Sequence, residues 1–100
     1  MIPEKNVQNK LEQARMLITN SHLDEAYTLL KEAIGENPKN EIAFNLLGVI
    51  CEKSGNNESA CFMYRVALRI NPAYVPAQAN LHRLTQIPPV LTGLDMGYQS

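Results

Sequence analysis

The feature that most constrains this chain is a pattern of small residues and a proline that recurs after 34 residues. The stretches EAYTLLKEAIGENP, residues 25–38, and ESACFMYRVALRINP, residues 58–72, share it. The matching positions are Ala26 with Ala60, Ala33 with Ala67, and Pro38 with Pro72. A fixed period of this length is typical of repeat proteins, in which each unit covers its apolar face by stacking on the next. We therefore expect a chain built from repeated units.

Helices are expected throughout the repeating region. From residue 7 to residue 87 apolar residues recur at helical spacing, and no segment alternates with a period of two. Five helices are predicted, and the breaks that separate or end them are Asn20-Ser21, Gly35 to Pro38, Ser54 to Asn57, Asn71-Pro72 and Pro88-Pro89. We expect Asn40 to cap the third helix, Gly55 to be left-handed, and Pro76 to lie in the first turn of the fifth. The predicted fold class is all-α.

Small residues mark where these helices should cross. Two helices joined by a short turn approach closely only if small side chains lie at the crossing point. We expect Ala14 to face Ala26 in a first pair of helices, and Gly48 to face Ala60 in a second. Each pair would still have an apolar side that a neighbouring pair must cover.

This pattern resembles the tetratricopeptide repeat, a helix–turn–helix unit of 34 residues. In residues 41–74 the positions that match the family signature are Phe44, Leu47, Gly48, Gly55, Ala60, Tyr64, Ala67 and Pro72. Residues 7–40 keep Ala14, Ala26, Leu30, Ala33 and Pro38, but have Lys10, Gln13 and Ser21 where the family has an aromatic residue, Leu and Gly. The resemblance implies a right-handed α-solenoid of antiparallel helix hairpins.

The resemblance also divides the chain. Residues 1–6 would be an N-terminal extension, residues 7–40 and 41–74 two repeats, and residues 75–87 a capping helix. A third complete repeat is not expected, because His82 replaces the small residue of the signature and Pro88-Pro89 falls where a second helix should begin. Residues 88–100 would form a proline-rich, apolar tail.

Composition excludes several classes of function. Nine basic and ten acidic residues leave a formal net charge of −1, so we expect neither nucleic acid nor an anionic membrane as a partner. The first residues, MIPEKNVQNKLEQ, lack the apolar core of a secretory signal, and a cytoplasmic location is expected. There is no spaced nucleophile and base, phosphate loop or cluster of metal ligands. We expect no enzymatic activity, no cofactor, no metal and no small-molecule substrate.

By resemblance, the first helix of each unit lines a concave groove that holds a peptide or helix of a partner protein. The residues at groove-facing positions are Leu11, Arg15, Ile18, Ile42, Asn45, Val49, Glu52, Ala79, Arg83 and Gln86. Four of these would form an apolar strip, Arg15 and Arg83 would orient an acidic ligand, and Asn45 would bind its main chain. The alternative is that the apolar residues pack against neighbouring helices and the arginines are solvated.

Self-assembly is the competing functional class. Stable arrays usually need about three repeats, so a short one gains stability by stacking on a second copy or docking in a larger complex. The tail contains Val90, Leu91, Leu94, Met96 and Tyr98, which is too apolar for an inert linker. It is expected to dock on a second subunit, to be part of a longer region, or to fold back into the groove of its own chain as an autoinhibitor or a substitute for the ligand.

Overall fold

The computed structural model of the protein describes residues 3–86 and 93–97. The helices are α1 (Pro3–Thr19), α2 (Leu23–Glu36), α3 (Glu41–Lys53), α4 (Asn57–Ile70) and α5 (Val75–Thr85). These two ranges contain no strand, which confirms the all-α class. None of their helices is both long and apolar enough to cross a membrane. The rest of the tail predicted over residues 88–100, with its Pro88-Pro89 break, lies outside the described residues.

The beginning of α1 differs from the prediction. The helix starts at Pro3, so residues 3–6 of the predicted extension belong to it. Proline is well suited to the first turn of a helix, because its fixed φ is helical and its missing N–H would have had no partner there.

The 34-residue period is visible in the backbone itself. Helices α2 and α4 have 14 residues each, and both ends of α4 lie 34 positions after those of α2. The turns repeat as well, since Ser21 has φ 64° and Gly55, its equivalent, has φ 83°. After α2 and α4, Asn37 and Asn71 each accept a hydrogen bond at 3.1 Å from the main-chain N–H two residues later. The left-handed conformation expected of Gly55 is confirmed.

Asparagines cap the two central helices. The side chain of Asn40 accepts a hydrogen bond of 3.0 Å from the N–H of Ala43, which confirms the predicted cap of α3. Asn56 does the same for α4, with 3.1 Å to the N–H of Ser59. Each cap satisfies an N–H group that has no partner within the helix.

The helices pack as neighbours along the chain around one main core. α1 packs on α2, α3 on α4 and α4 on α5, while α3 also contacts both α1 and α2. The largest apolar side chains that are completely buried are Tyr64, Ile18, Leu30, Leu46 and Val49. A smaller cluster of Ala67, Tyr74 and Ala77 joins α4 to α5.

Gly48 is the point of closest approach between α3 and α4. A Cβ atom built on Gly48 would lie 2.6 Å from Cδ1 and 2.9 Å from Cζ of the Tyr64 ring. The Tyr64 ring therefore occupies the space beside Gly48, and the expected contact between Gly48 and Ala60 stays a prediction. The glycine leaves room for an aromatic ring that is fully buried.

Replacing this glycine tests the close approach. We expect Gly48→Ala to lower the free energy of unfolding by about 1–3 kcal/mol, because the added methyl group displaces the Tyr64 ring. Gly35→Ala is the matched control, since Gly35 also lies in a helix but has no atom within 4 Å of an added Cβ. There the better helix propensity of alanine should stabilise the protein by roughly 0.5–1 kcal/mol. Urea unfolding of both variants measures the difference, and equal effects would contradict the packing.

Candidate peptide-binding surface

Residues 93–97 lie against the helices, where their main chain is bound by side chains from three of them. Arg15 comes from α1, Asn45 from α3 and Asn80 from α5. We call the surface formed by these three residues and Tyr74, which precedes α5, the docking surface. It holds a segment that is far away in sequence, since Arg15 and Met96 are 81 positions apart.

Asn80 binds both main-chain polar groups of Asp95. Its Nδ2 donates to the carbonyl oxygen of Asp95 at 2.7 Å, and its Oδ1 accepts from the N–H of Asp95 at 2.9 Å. The Nδ2 of Asn45 donates to the same carbonyl oxygen at 3.0 Å. One residue of the segment is therefore held by two amide side chains, through atoms that every amino acid except proline possesses.

The amide of Asn80 is fully hydrogen-bonded. Besides Asp95, its Nδ2 donates to Oδ1 of Asn45 at 3.1 Å, and its Oδ1 accepts from Nη2 of Arg83 at 3.1 Å. A side-chain amide has two N–H donors and two acceptor lone pairs, so all four are used. Asn80 is completely buried, and two of its four hydrogen bonds come from the segment.

Arg15 binds the next two carbonyl groups of the segment. Its Nε donates to the carbonyl oxygen of Met96 at 2.9 Å, and its Nη2 donates to that of Gly97 at 3.3 Å. The guanidinium group is buried and also forms an ion pair with Glu12 on the same helix. Hydrogen bonds from a charged donor are stronger than those between neutral groups. Arg15 therefore fixes the end of the segment that follows Asp95.

The buried ion pair of Arg83 with Glu52 lies next to Asn80 of the docking surface. Nη1 and Nη2 of Arg83 donate to the two carboxylate oxygens of Glu52 at 2.9 and 2.7 Å, and the hydroxyl of Tyr64 donates to Glu52 at 2.7 Å. The hydrogen bond with Glu52 raises the pKa of Arg83, and burial raises the pKa of Tyr64. Because Arg83 also donates to Asn80, the ion pair helps to fix the orientation of the Asn80 amide.

Apolar contacts complete the attachment of the segment. Leu94 and Met96 pack against the main core. Gly97 is buried beside the hydroxyl of Tyr74, and burial raises the pKa of that hydroxyl to about 12. Main-chain hydrogen bonds thus hold Asp95, Met96 and Gly97, and apolar packing holds Leu94 and Met96 beside them.

The apolar strip expected to anchor a ligand is buried in this structure. Leu11, Ile18 and Val49 are at most 3% exposed and belong to the main core, while Ile42 is half-buried between the two clusters. The alternative weighed for these residues, packing against neighbouring elements, describes their positions better. Side chains that are this deeply buried cannot contact a ligand in this structure.

The polar residues predicted for the groove fall into three groups. Asn45 and Arg15 bind main-chain oxygens, although those of the chain's own segment. Arg83 and Glu52 bind each other, and the ligand-orienting role expected of Arg83 as the counterpart of Arg15 stays a prediction. Gln86, which follows α5, is exposed and hydrogen-bonds His82 of that helix, and the remaining groove position, the apolar Ala79, is exposed as well.

Two residues of the docking surface, Asn80 and Tyr74, were not predicted. Asn80 lies three positions after Ala77 and four before Leu84, which places a polar side chain on the apolar face of α5. That position was the available signal, because a buried amide requires hydrogen-bond partners. The resemblance had directed attention to Ala79, the residue just before it.

Other kinds of site find no support in the part of the chain that the structure describes. No group of three or more His, Cys, Asp or Glu side chains lies close enough there to hold a metal ion. A surface cavity of about 560 Å³ lies between the end of α1 and α2, lined by Gln13, Met16, Leu17, Asn20, Glu25, Thr28 and Leu29. This cavity shares no residue with the docking surface.

The buried ion pair can be tested with a matched arginine. We expect Arg83→Met to lower the free energy of unfolding by about 3–5 kcal/mol, because it leaves the Glu52 carboxylate buried without its cation. Arg69→Met is the control, since Arg69 is exposed on α4 and its replacement should change stability by no more than about 0.5 kcal/mol. Urea unfolding measures both variants, and similarly small effects would show that Glu52 and Arg83 are solvated in solution.

Comparison of the chain with protein-family models, with curated proteins and with solved structures finds no match.

Proposed function

We propose that this chain is a non-catalytic protein–protein interaction module that holds an extended segment of a partner protein on its docking surface. The observation that carries the proposal is the pair of hydrogen bonds in which Asn80 donates to the carbonyl of Asp95 and accepts from its N–H. In this proposal residues 93–97 occupy the site in place of the partner, so the chain also regulates access to its own binding surface.

Main-chain recognition indicates what kind of ligand fits. In helices and sheets the main-chain N–H and C=O groups are already paired with each other, so they are not available to Asn45, Asn80 and Arg15. A segment that presents three consecutive carbonyl groups and an N–H to side chains must be free of regular structure at those residues. This favours a peptide or loop over a helix of the partner.

The finer architecture belongs to the same proposal. We infer a right-handed solenoid of antiparallel hairpins of the tetratricopeptide type, with residues 7–40 and 41–74 as repeats and residues 75–87 as the cap. Its support is the 34-residue spacing of the helix ends and turns, together with the contacts between consecutive helices. In such an arrangement α1, α3 and α5 would lie side by side. This agrees with the binding of one segment by Arg15, Asn45 and Asn80, one from each of these helices.

Self-assembly remains the second candidate, because the occupant of the docking surface is a segment that every copy of the chain carries. Exchange of residues 93–97 between two copies would reproduce the same hydrogen bonds in a dimer. Light scattering over a wide concentration range distinguishes the two. A monomer supports binding of the segment within one chain, whereas a dimer that dissociates on dilution supports exchange.

Opening the docking surface tests the proposed function. Asp95→Pro in the full chain removes the N–H that Asn80 accepts and should release residues 93–97. The peptide TGLDMGY, residues 92–98, should then bind at least about tenfold more tightly to this variant than to the unaltered chain. The reason is that a tethered segment competes at an effective concentration in the millimolar range. Isothermal titration calorimetry measures both affinities, and circular dichroism checks that the helices remain.

A matched pair of substitutions shows where the peptide binds. In the Asp95→Pro chain, Asn80→Asp removes both amide N–H donors and should weaken peptide binding about tenfold or more. Asn9→Asp adds the same charge at an exposed position of α1 and should leave the affinity unchanged. Equal affinities in the two variants, or no binding to the opened chain at all, would contradict the proposal.

A further inference from the structure

The docked segment has a sequence requirement at its last described residue, Gly97. Its φ is +75°, a left-handed conformation that residues with a Cβ rarely adopt. A Cβ atom on Gly97 would also overlap the hydroxyl oxygen of Tyr74 and lie 3.5 Å from Pro76 and 3.6 Å from Nη2 of Arg15. The docking surface therefore has a position with space for glycine alone.

Gly97 has two separate reasons to be glycine, its backbone conformation and its contact with Tyr74, and a comparison with Gly93 separates them. The φ of Gly93 is +81°, close to that of Gly97. A Cβ atom added there would lie 3.9 Å from the nearest atom, Cδ of Arg83, which is an ordinary contact. The two glycines thus have the same conformational need, but only Gly97 is enclosed by neighbouring side chains.

The aspartate two residues before Gly97 shapes the segment from within. Oδ1 of Asp95 accepts a hydrogen bond of 2.9 Å from the N–H of Gly97, which closes a turn of the kind that Asp and Asn side chains form. This turn brings the carbonyl groups of Met96 and Gly97 to the Arg15 guanidinium. Aspartate or asparagine is suited to this position, because both have the required oxygen.

Apolar side chains on either side of Asp95 set the remaining preference. Leu94 and Met96 pack against the main core, while the main chain between them is bound by Asn80. The segment therefore presents an apolar residue, an aspartate, a second apolar residue and a glycine, in that order.

From these contacts we infer that the docking surface selects partner segments of the form apolar–Asp/Asn–apolar–Gly, with the glycine received beside Tyr74. The inference rests on the proposed function, which it makes specific by naming the partner's chemistry. The partner is a protein with this four-residue pattern in an extended loop or terminus. A second copy of this chain, which carries Leu94 to Gly97 itself, is the other possible source.

Peptide variants test the glycine position. In the Asp95→Pro chain, TGLDMGY altered by Gly97→Ala should bind roughly tenfold more weakly than the same peptide altered by Gly93→Ala. Both alanines have the same unfavourable φ, so the ratio isolates the contact with Tyr74. Tyr74→Phe in the chain removes only the hydroxyl, and it should bring the affinity of the Gly97→Ala peptide to that of the Gly93→Ala peptide.

The aspartate position is tested in the same format. An Asp95→Asn peptide should bind within about twofold of the unaltered peptide, because the amide oxygen still closes the turn. An Asp95→Ala peptide should bind about fivefold or more weakly. If the alanine peptide bound as tightly as the unaltered one, the requirement for Asp or Asn at this position would be wrong.

The outcomes separate this inference from the function on which it rests. If the unaltered peptide binds and both alanine peptides bind equally well, the docking surface recognises main chain but the glycine requirement is wrong. Weaker binding of the Gly97→Ala peptide without recovery in Tyr74→Phe also overturns it. If no peptide binds the opened chain, the proposed function fails and the inference with it. If the inference holds, light scattering of the unaltered chain shows whether the bound segment belongs to a second copy, because two chains that exchange residues 93–97 form a dimer.

Discussion

The buried amide of Asn80 is the interaction on which the arrangement of the segment and the helices depends. A polar group removed from water is costly unless its hydrogen bonds are replaced, and Asn80 has no exposed surface. Two of its hydrogen bonds come from the helices, through Asn45 and Arg83, and two from Asp95. An unoccupied docking surface would have to satisfy this amide with water or with another ligand. This requirement explains why residues 93–97 are held in one position.

Pre-organisation follows from the same network. Glu52 and Arg83 join α3 to α5 by a bidentate ion pair, and Tyr64 adds a hydrogen bond from α4. Because Arg83 also donates to Asn80, the amide is oriented by a side chain that is itself fixed by Glu52. A ligand that binds to such a surface needs to order fewer side chains, which favours affinity. The fold and the binding surface therefore share one set of buried polar contacts.

Local sequence patterns predicted the fold well. Apolar spacing and helix-breaking residues predicted where α2 and α4 begin and end, and residue type predicted the cap at Asn40 and the left-handed turn at Gly55. These features depend on residues close together in the chain, where spacing and intrinsic conformational preference decide the outcome. Pro3 was missed because the apolar pattern of α1 begins only after it.

The binding surface was harder to predict, because its contacts join residues that are far apart in sequence. The separations range from 15 to 82 positions. Asn45 was expected to bind the main chain of a ligand, and it binds the carbonyl oxygen of Asp95 in its own chain, so its role toward a ligand stays a prediction. Asn80 was missed because positions assigned by resemblance pointed to its neighbour Ala79. Arg83 was expected to face a ligand, but no local pattern showed that Glu52 would neutralise it. The apolar strip was expected at a surface because the sequence does not show which distant residues pack against it.

The most direct test of this account is a solution NMR measurement on the unaltered full chain. The account predicts nuclear Overhauser contacts between the side-chain amide protons of Asn80 and the backbone of Asp95. It also predicts slow hydrogen exchange of the Asp95 N–H, which is bound at 2.9 Å in the structure. Random-coil chemical shifts for residues 93–97, with no contacts to Asn80 and unprotected exchange, would contradict it. In that case the docking surface would be open in the free protein.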